Sequence, residues 1–306
     1  MHTAVTPPRP PFLPLRGVID GNGGTWWPCA KNGTHFPCSG YPRPHGIRFV
    51  GGDGFLISGV TIKDMPMWQV HLAWVTNVHV HDVRILAPSS DDPVHPSHNT
   101  DGIDPDCAQN VLIERVHVST GDDCIAIKSG RNWFGRTFGR ASKNITIRDS
   151  TFGTGHGLSI GSEMSGGVTD VLFYNLTATG TGAGVRLKSE RGRGGVVSNV
   201  TWQQLTLVNV GQVLQVTDNY DPGLPPTNAT ATPRFENISI IDVRSVNAQT
   251  GWLLDGLPES TIKGLRLENV VVEGTSANKL TVKCDYVDKS TAACSGVLPS
   301  CPPCVA

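Results

Sequence analysis

The chain has 306 residues, with 25 Lys+Arg against 26 Asp+Glu, 35 Gly and 22 Pro. A net charge near zero argues against nucleic-acid binding, and no run of eighteen apolar residues is present to cross a bilayer. Charged residues at 17% fall below the usual quarter, so the composition reads as turn-rich and β-dominated; the length suits one large domain or two small ones, and the repeats below favour one, 1–306, with room for a substantial core.

In chain order, Met1-His2-Thr3 leads into a proline-rich stretch, PPRPPFLP, where a secretory signal or an amphipathic cap helix would be expected. This predicts either an intracellular protein or an N-terminus lying upstream, with the N-terminal cap of the domain lacking. Cys29 and Cys38 then stand close enough for a local disulfide. From Gly54 a nine-residue pattern recurs, with apolar residues mainly at alternate positions. It reads GFLISGVTI, NVHVHDVRI, NVLIERVHV, NITIRDSTF, DVLFYNLTA, NVTWQQLTL, NISIIDVRS and GLRLENVVV. Between most copies lies a second short strand: GIDPDC, DCIAIKS, LSIGSE, VRLKSE, VLQVTD and WLLDGL.

Alternation with a period of two predicts strands, and strand–turn repeats without helices suggest a right-handed parallel β-helix, an all-β solenoid. Five copies open with asparagine (Asn77, Asn110, Asn144, Asn199, Asn237), as expected if these side chains stack and bond along the solenoid at one turn. A β-sandwich explains the alternation but not the recurring asparagine.

The eight cysteines also include Cys107, Cys124, Cys284, Cys294, Cys301 and Cys304. Only Cys301-Pro-Pro-Cys304 has the close spacing of a zinc pair, so disulfides are expected, with residues 284–306 as a cysteine-rich C-terminal cap. Six Asn-x-Ser/Thr sequons fit a secretory route, and Asn32 and Asn228, in turn-rich segments, are the expected glycan acceptors.

Polar residues collect at the starts of consecutive short strands. The groups are Asn99-Thr100-Asp101-Gly102, Gly121-Asp122-Asp123-Cys124, Gly155-His156-Gly157 and Arg186-Leu187-Lys188. Each alone reads as a turn, a surface histidine or a solvated stripe. At one-coil spacing they stack into one patch of three carboxylates, an imidazole and two cations, the groups that general acid–base hydrolysis of a glycosidic bond needs. Adjacent Asp122 and Asp123 would face opposite sides of a straight strand, so a bend or bulge is predicted there.

These four motifs, in this order and spacing, resemble the polygalacturonases, pectin-hydrolysing enzymes built on a right-handed parallel β-helix, over roughly residues 17 to 284. The resemblance implies that Asp122 is the general acid. Asp101 and Asp123 would activate the attacking water, with inversion at the anomeric carbon. His156 would stand beside the acid and set its protonation. Arg186 and Lys188 would bind the galacturonate carboxylate, with Asn99 and Tyr220 also meeting substrate. No metal or cofactor is implied. Leu187 replaces the family's isoleucine, and the Cys-Gly-Pro found before Gly-His-Gly in many plant members is replaced by Gly153-Thr154, so Cys124 pairs with Cys107 or stays free. Ser162-Glu163-Met164-Ser165-Gly166-Gly167 and Arg191-Gly192-Arg193-Gly194-Gly195 resemble the exo-acting members. The expected setting is extracellular, at the cell wall, with a galacturonan substrate, no nucleic-acid partner, no membrane span and a monomeric state. The rival readings are a calcium-dependent pectate lyase, a rhamnogalacturonan hydrolase and a non-catalytic polysaccharide-binding β-helix.

Overall fold

Alternating apolar residues place one face of each repeat indoors, and seven of the eight repeats lie within single strands of the computed structural model, the first crossing Gly59 from one strand to the next; the structure describes residues 17–30, 41–88, 96–275 and 282–305. The long strands Ile47–Ser58, Val70–Leu86, Gln109–Ser119, Ser142–Phe152, Val168–Thr179, Val196–Val208, Arg234–Ala248 and Lys263–Thr275 pair in parallel, each with the next. The short strands Ile103–Asp106, Asp123–Ile127, Gly157–Ile160, Ala183–Lys188, Gln212–Thr217, Thr250–Asp255 and Val282–Asp285 form a second parallel stack. One long and one short strand make a coil, and each coil lies on the one before. The fold is a parallel β-helix. A sandwich would require antiparallel ladders, and every ladder among the described strands is parallel.

The long strands exceed the usual strand length because residues in the left-handed region bend them without ending them. Asn77, Asn110, Asn144, Asp170, Asn199 and Asn237 have φ between 54° and 58°. The asparagines therefore sit at bends inside continuous strands and do not open them, a correction to the sequence reading. Asparagine tolerates this conformation better than other side-chain-bearing residues. Its amide also bonds along the stack: Asn144 donates to Asn110 at 2.9 Å, Asn110 to Asn77 at 3.0 Å and Asn77 to Asp53 at 2.6 Å. Farther along, Asn237 donates to Asn199 at 3.4 Å and Asn199 to Asp170 at 3.3 Å. Gly264 ends the row with φ 63°, where a Cβ would lie 2.6 Å from the Asn237 Oδ1.

A second row of bends, five residues farther on, escaped the sequence reading. It contains Asp82, Arg115, Asp149, Asn175, Gln204, Asp242 and Asn269, all with positive φ. Its bonds are mixed: Arg115 clasps Asp82, Asn175 donates to Asp149 and Asn269 to Asp242. The first row is asparagine at five positions and the second is mixed, so only the first shows as a sequence repeat.

Between the bends, inward residues stack coil upon coil. One row runs Val80, Ile113, Ile147, Phe173, Trp202, Ile240 and Leu267, all buried. Phe173 and Trp202 lie face to face, with centroids 4.9 Å apart and planes 2° from parallel. At the C-terminus, disulfides Cys284–Cys304 and Cys294–Cys301 staple the tail, and Val297, Cys304 and Val305 pack onto the core. Cys107 and Cys124 are free and buried, which resolves the alternative left open for them. Cys38 and the proline-rich start lie outside the described residues, and the Cys29–Cys38 pairing with them.

A seven-residue helix, Asn132–Phe138, follows the short strand Asp123–Ile127. It is too short for a helical period to emerge from its sequence. Gly139, at φ 63°, ends it and returns its N–H to the Gly135 carbonyl.

Asn110→Ala would lose two ladder bonds and also force alanine into the left-handed region, whereas Asn110→Gly loses the bonds alone. The glycine variant should be the more stable by about 1 kcal/mol, the scale of the left-handed penalty. Urea midpoints of the two variants test this, and equal midpoints would mean that the bend carries no strain.

Candidate active site

The short-strand stack carries the polar motifs on its outward face. On Ala183–Lys188, Val185 and Leu187 enter the core, so Arg186 and Lys188 point outward. On Asp123–Ile127 the register against Gly157–Ile160 slips between Asp123 and Ile125, the irregularity predicted from the adjacent aspartates. It turns Asp123 outward while Cys124 and Ile125 both reach the core.

Both carboxylate oxygens of Asp123 are engaged. Its Oδ1 accepts from Arg186 Nη1 at 2.7 Å and from Ser159 Oγ at 2.7 Å, and its Oδ2 accepts from Lys188 Nζ at 2.7 Å. Burial opposes its ionisation, but Lys188, Arg186 and Lys128 outweigh that and hold its carboxyl far below the usual range. Asp122 lies beside it, with Oδ1 3.0 Å from His156 Nδ1 and Oδ2 3.5 Å from Asn99 Nδ2. Burial raises Asp122, yet the His156 bond prevails and keeps it below its ordinary value, while the same bond raises His156. In the free protein the proton of this pair rests on the imidazole. Asp101 is buried, and burial together with Asp122 and Asp123 pushes its carboxyl up to about 7 against the pull of Lys128.

All the residues expected from the sequence come to this face, but two cations are placed differently from expectation. Arg186 and Lys188 are buried on the protein's own Asp123. Tyr220 stands over them, its hydroxyl accepting from Arg186 Nη2 at 3.2 Å and its ring 5.4 Å from Lys188 Nζ. Asn99 is exposed, and its Oδ1 accepts from Arg43 Nη2 at 2.6 Å. Arg43 is one of several site residues that the sequence did not reveal. Lys128 pairs with Asp101 at 3.2 Å and Glu163 at 3.6 Å, and its ammonium sits 4.5 Å from the centre of the Trp68 ring. A sequence signal for Lys128 existed: IKS at the end of one short strand and LKS at the end of another put Lys128 and Lys188 at equivalent positions. Arg43 and Trp68 belong to no repeat, so nothing local marks them.

Asp122, Asp123 and His156 bring ligand atoms within 4.8 Å of one another. A divalent ion there would compete with the two cations and the hydroxyl already bonded to Asp123. The donor set suits acid–base chemistry better than metal binding.

Buried and half-buried carboxylates thus stand beside an imidazole on the outward face of a parallel β-helix. The sequence profile of glycosyl hydrolases family 28 matches residues 13–294, and the chain belongs to that family. It is 32% identical over 291 residues to a probable polygalacturonase of Vitis vinifera, covering 93% of this chain and 56% of that protein. A polygalacturonase of Ralstonia nicotianae is 28% identical, with 85% of this chain and 55% of that protein covered. Among solved structures, a hyperthermoactive exopolygalacturonase from Thermotoga maritima superposes with TM-score 0.69 at 31% identity, covering 78% of this chain and 52% of that one. The chain thus spans about half the length of the curated relatives it matches.

Lys188→Met would leave the Asp123 Oδ2 buried without its cation. Removing one partner of such a pair costs about 3–5 kcal/mol. The urea midpoint should fall accordingly, and an unchanged midpoint would show that the pair does not hold the coils together.

Proposed function

We propose that this chain hydrolyses the α-1,4-galacturonosyl bonds of polygalacturonate by an inverting acid–base mechanism, releasing sugars from chain ends. The carrying observation is the set Asp101, Asp122 and Asp123 on one outward face with His156 3.0 Å from Asp122. Asp122 donates the proton to the leaving oxygen, drawing on the His156 pair, and Asn99 holds its other oxygen. Asp101, with Asp123, orients and deprotonates the attacking water. Arg186 and Lys188 keep N–H donors beyond those bonded to Asp123, Gln215 and Tyr220, and these meet the substrate carboxylate under the Tyr220 ring.

Action at chain ends is supported by two linked loops. Arg193 Nη1 donates to Asn132 Oδ1 at 2.6 Å, and Arg136 donates to the Gly192 and Arg193 carbonyls, fixing the 191–195 loop to the helix Asn132–Phe138. Arg191 clasps Glu259 through two bonds. A loop held in one place suits an enzyme that accepts termini. Hydrolysis over calcium-dependent elimination is supported by Asp123, whose oxygens are bonded to cations. A galacturonan substrate fits an extracellular setting, at the cell wall.

Polygalacturonate incubated with the protein should yield monomer first, without ultraviolet-absorbing unsaturated ends. An early ladder of oligomers would make the action internal, and unsaturated ends would make the protein a lyase. Asp122→Asn should lower turnover by about 10²–10⁴-fold with KM little changed, since it removes the transferable proton and keeps the shape. Near-normal turnover in that variant would overturn the assignment of the acid.

The pH profile follows from the two groups. Asp101 must be ionised, so kcat/KM should fall as pH drops below about 7. The Asp122–His156 pair must hold its proton, and His156 is raised above its ordinary value, so the opposite limb is shifted upward from that of a free imidazole. A bell-shaped profile is expected. A profile still rising at pH 4 would show that Asp101 is not the base.

A further inference from the structure

Lys128 enters none of the roles above. Its side chain is 7% exposed, a costly place for an ammonium unless something uses the charge. It follows the strand Asp123–Ile127 and points outward, because Ile127 before it enters the core. Its Nζ lies 3.2 Å from Asp101 Oδ2 and 3.6 Å from Glu163 Oε2, and the Trp68 ring covers it at 4.5 Å. His45 and His71 pack edge-on against that ring. Asp104, also fully buried, has neither carboxylate oxygen hydrogen-bonded, and burial beside Asp101 raises it well above its ordinary value.

We infer that Lys128 is a positioning residue of the reaction, whose buried ammonium keeps Asp101 available as the base and whose hold is graded by Glu163. The inference rests on the hydrolase reading above. Asp101 faces Asp122 and Asp123, both of which disfavour its ionisation, and Lys188 as well as Lys128, which favour it. Arg43 lies within electrostatic reach of Asp101 from a third direction. Of the two lysines, Lys188 has its short contact to Asp123, and Lys128 makes the direct bridge to Asp101. Lys128 itself faces Asp101, Asp104, Glu163 and Asp123, and these hold its proton in place against burial. Glu163 is the partly exposed member of the set, at 26%, so it draws on the ammonium at the edge of the cleft while Asp101 draws on it from inside.

Removing the ammonium and removing its competitor should act in opposite directions. In Lys128→Met the acid limb of kcat/KM should move up by about 1–3 pH units, the usual effect of an opposite charge at this distance. Lys128→Arg keeps a cation and should restore the limb toward that of the parent. Glu163→Gln should move the limb down, because Asp101 then has the ammonium to itself and loses a nearby negative charge. Glu163 is on the surface side, so this variant tests the inference even where Lys128→Met does not fold. A merely structural lysine would lower rate at every pH and shift neither limb, and that result overturns the inference. Carbon-13 titration of the aspartate carboxyls in parent, Lys128→Arg and Glu163→Gln reads the Asp101 shift without substrate. Absence of hydrolysis by the parent would thus fail the hydrolase reading, whereas an Asp101 titration that ignores both variants would fail the role of Lys128.

Discussion

The contact on which the site depends is the double ion pair of Asp123. Its two oxygens take Arg186 and Lys188 at 2.7 Å each and Ser159 at 2.7 Å, joining three successive short strands. Buried ion pairs contribute little net stability against an apolar alternative, so the value of this one lies in fixing geometry. It sets the height of the strand bearing Asp122, and therefore the position of the Asp122–His156 pair. It also keeps one of three crowded carboxylates permanently ionised. Charge on Asp123 then raises Asp101 and opposes ionisation of Asp122, which leaves those two groups free to differ in protonation.

Such precision in the short-strand stack requires the coils to keep register, and the bends supply it. A residue in the left-handed region turns a strand without breaking its ladder, so the long strands hold their inward and outward alternation through two corners. Because a slip of one residue would expose every core side chain, the stacked apolar rows and the amide row enforce the same register. The polar motifs, carried on the adjoining stack, inherit it.

The β-helix was legible because its two signals repeat: period-two alternation in eight segments and asparagine at one phase. The cluster of Asp101, Asp122, Asp123, His156, Arg186 and Lys188 was legible for the same reason, since coil spacing turns sequence distance into stacking. The bulge at Asp123 could be argued from two adjacent carboxylates alone. What stayed hidden depends on contacts between elements that do not repeat. Arg43 reaches Asn99 from a segment before the first long strand, and Trp68 covers Lys128 from the connection that precedes Val70–Leu86. The use of Arg186 and Lys188 on a protein carboxylate was equally hidden, because a sequence shows that cations are present but not which anion meets them.

Two glycines explain how a lysine two coils away reaches Asp123. Parallel neighbours lie about 4.8 Å apart, so the strand of Lys188 is about twice that from the strand of Asp123. Gly157 pairs opposite Asp123, and Gly161 follows Ile160, which pairs with both Ile127 and Leu187. At the middle level, the positions in line with Asp123 and with the two lysines therefore carry no side chain. A Cβ at Gly157 would lie 2.0 Å from the Ala183 carbonyl oxygen, and one at Gly161 would lie 2.0 Å from that of Lys188. Backbone crowding excludes side chains there, and Lys188 reaches across the middle level to Asp123 Oδ2 at 2.7 Å. The Lys188–Asp123 contact thus depends on the places where the coils come too close for any residue but glycine.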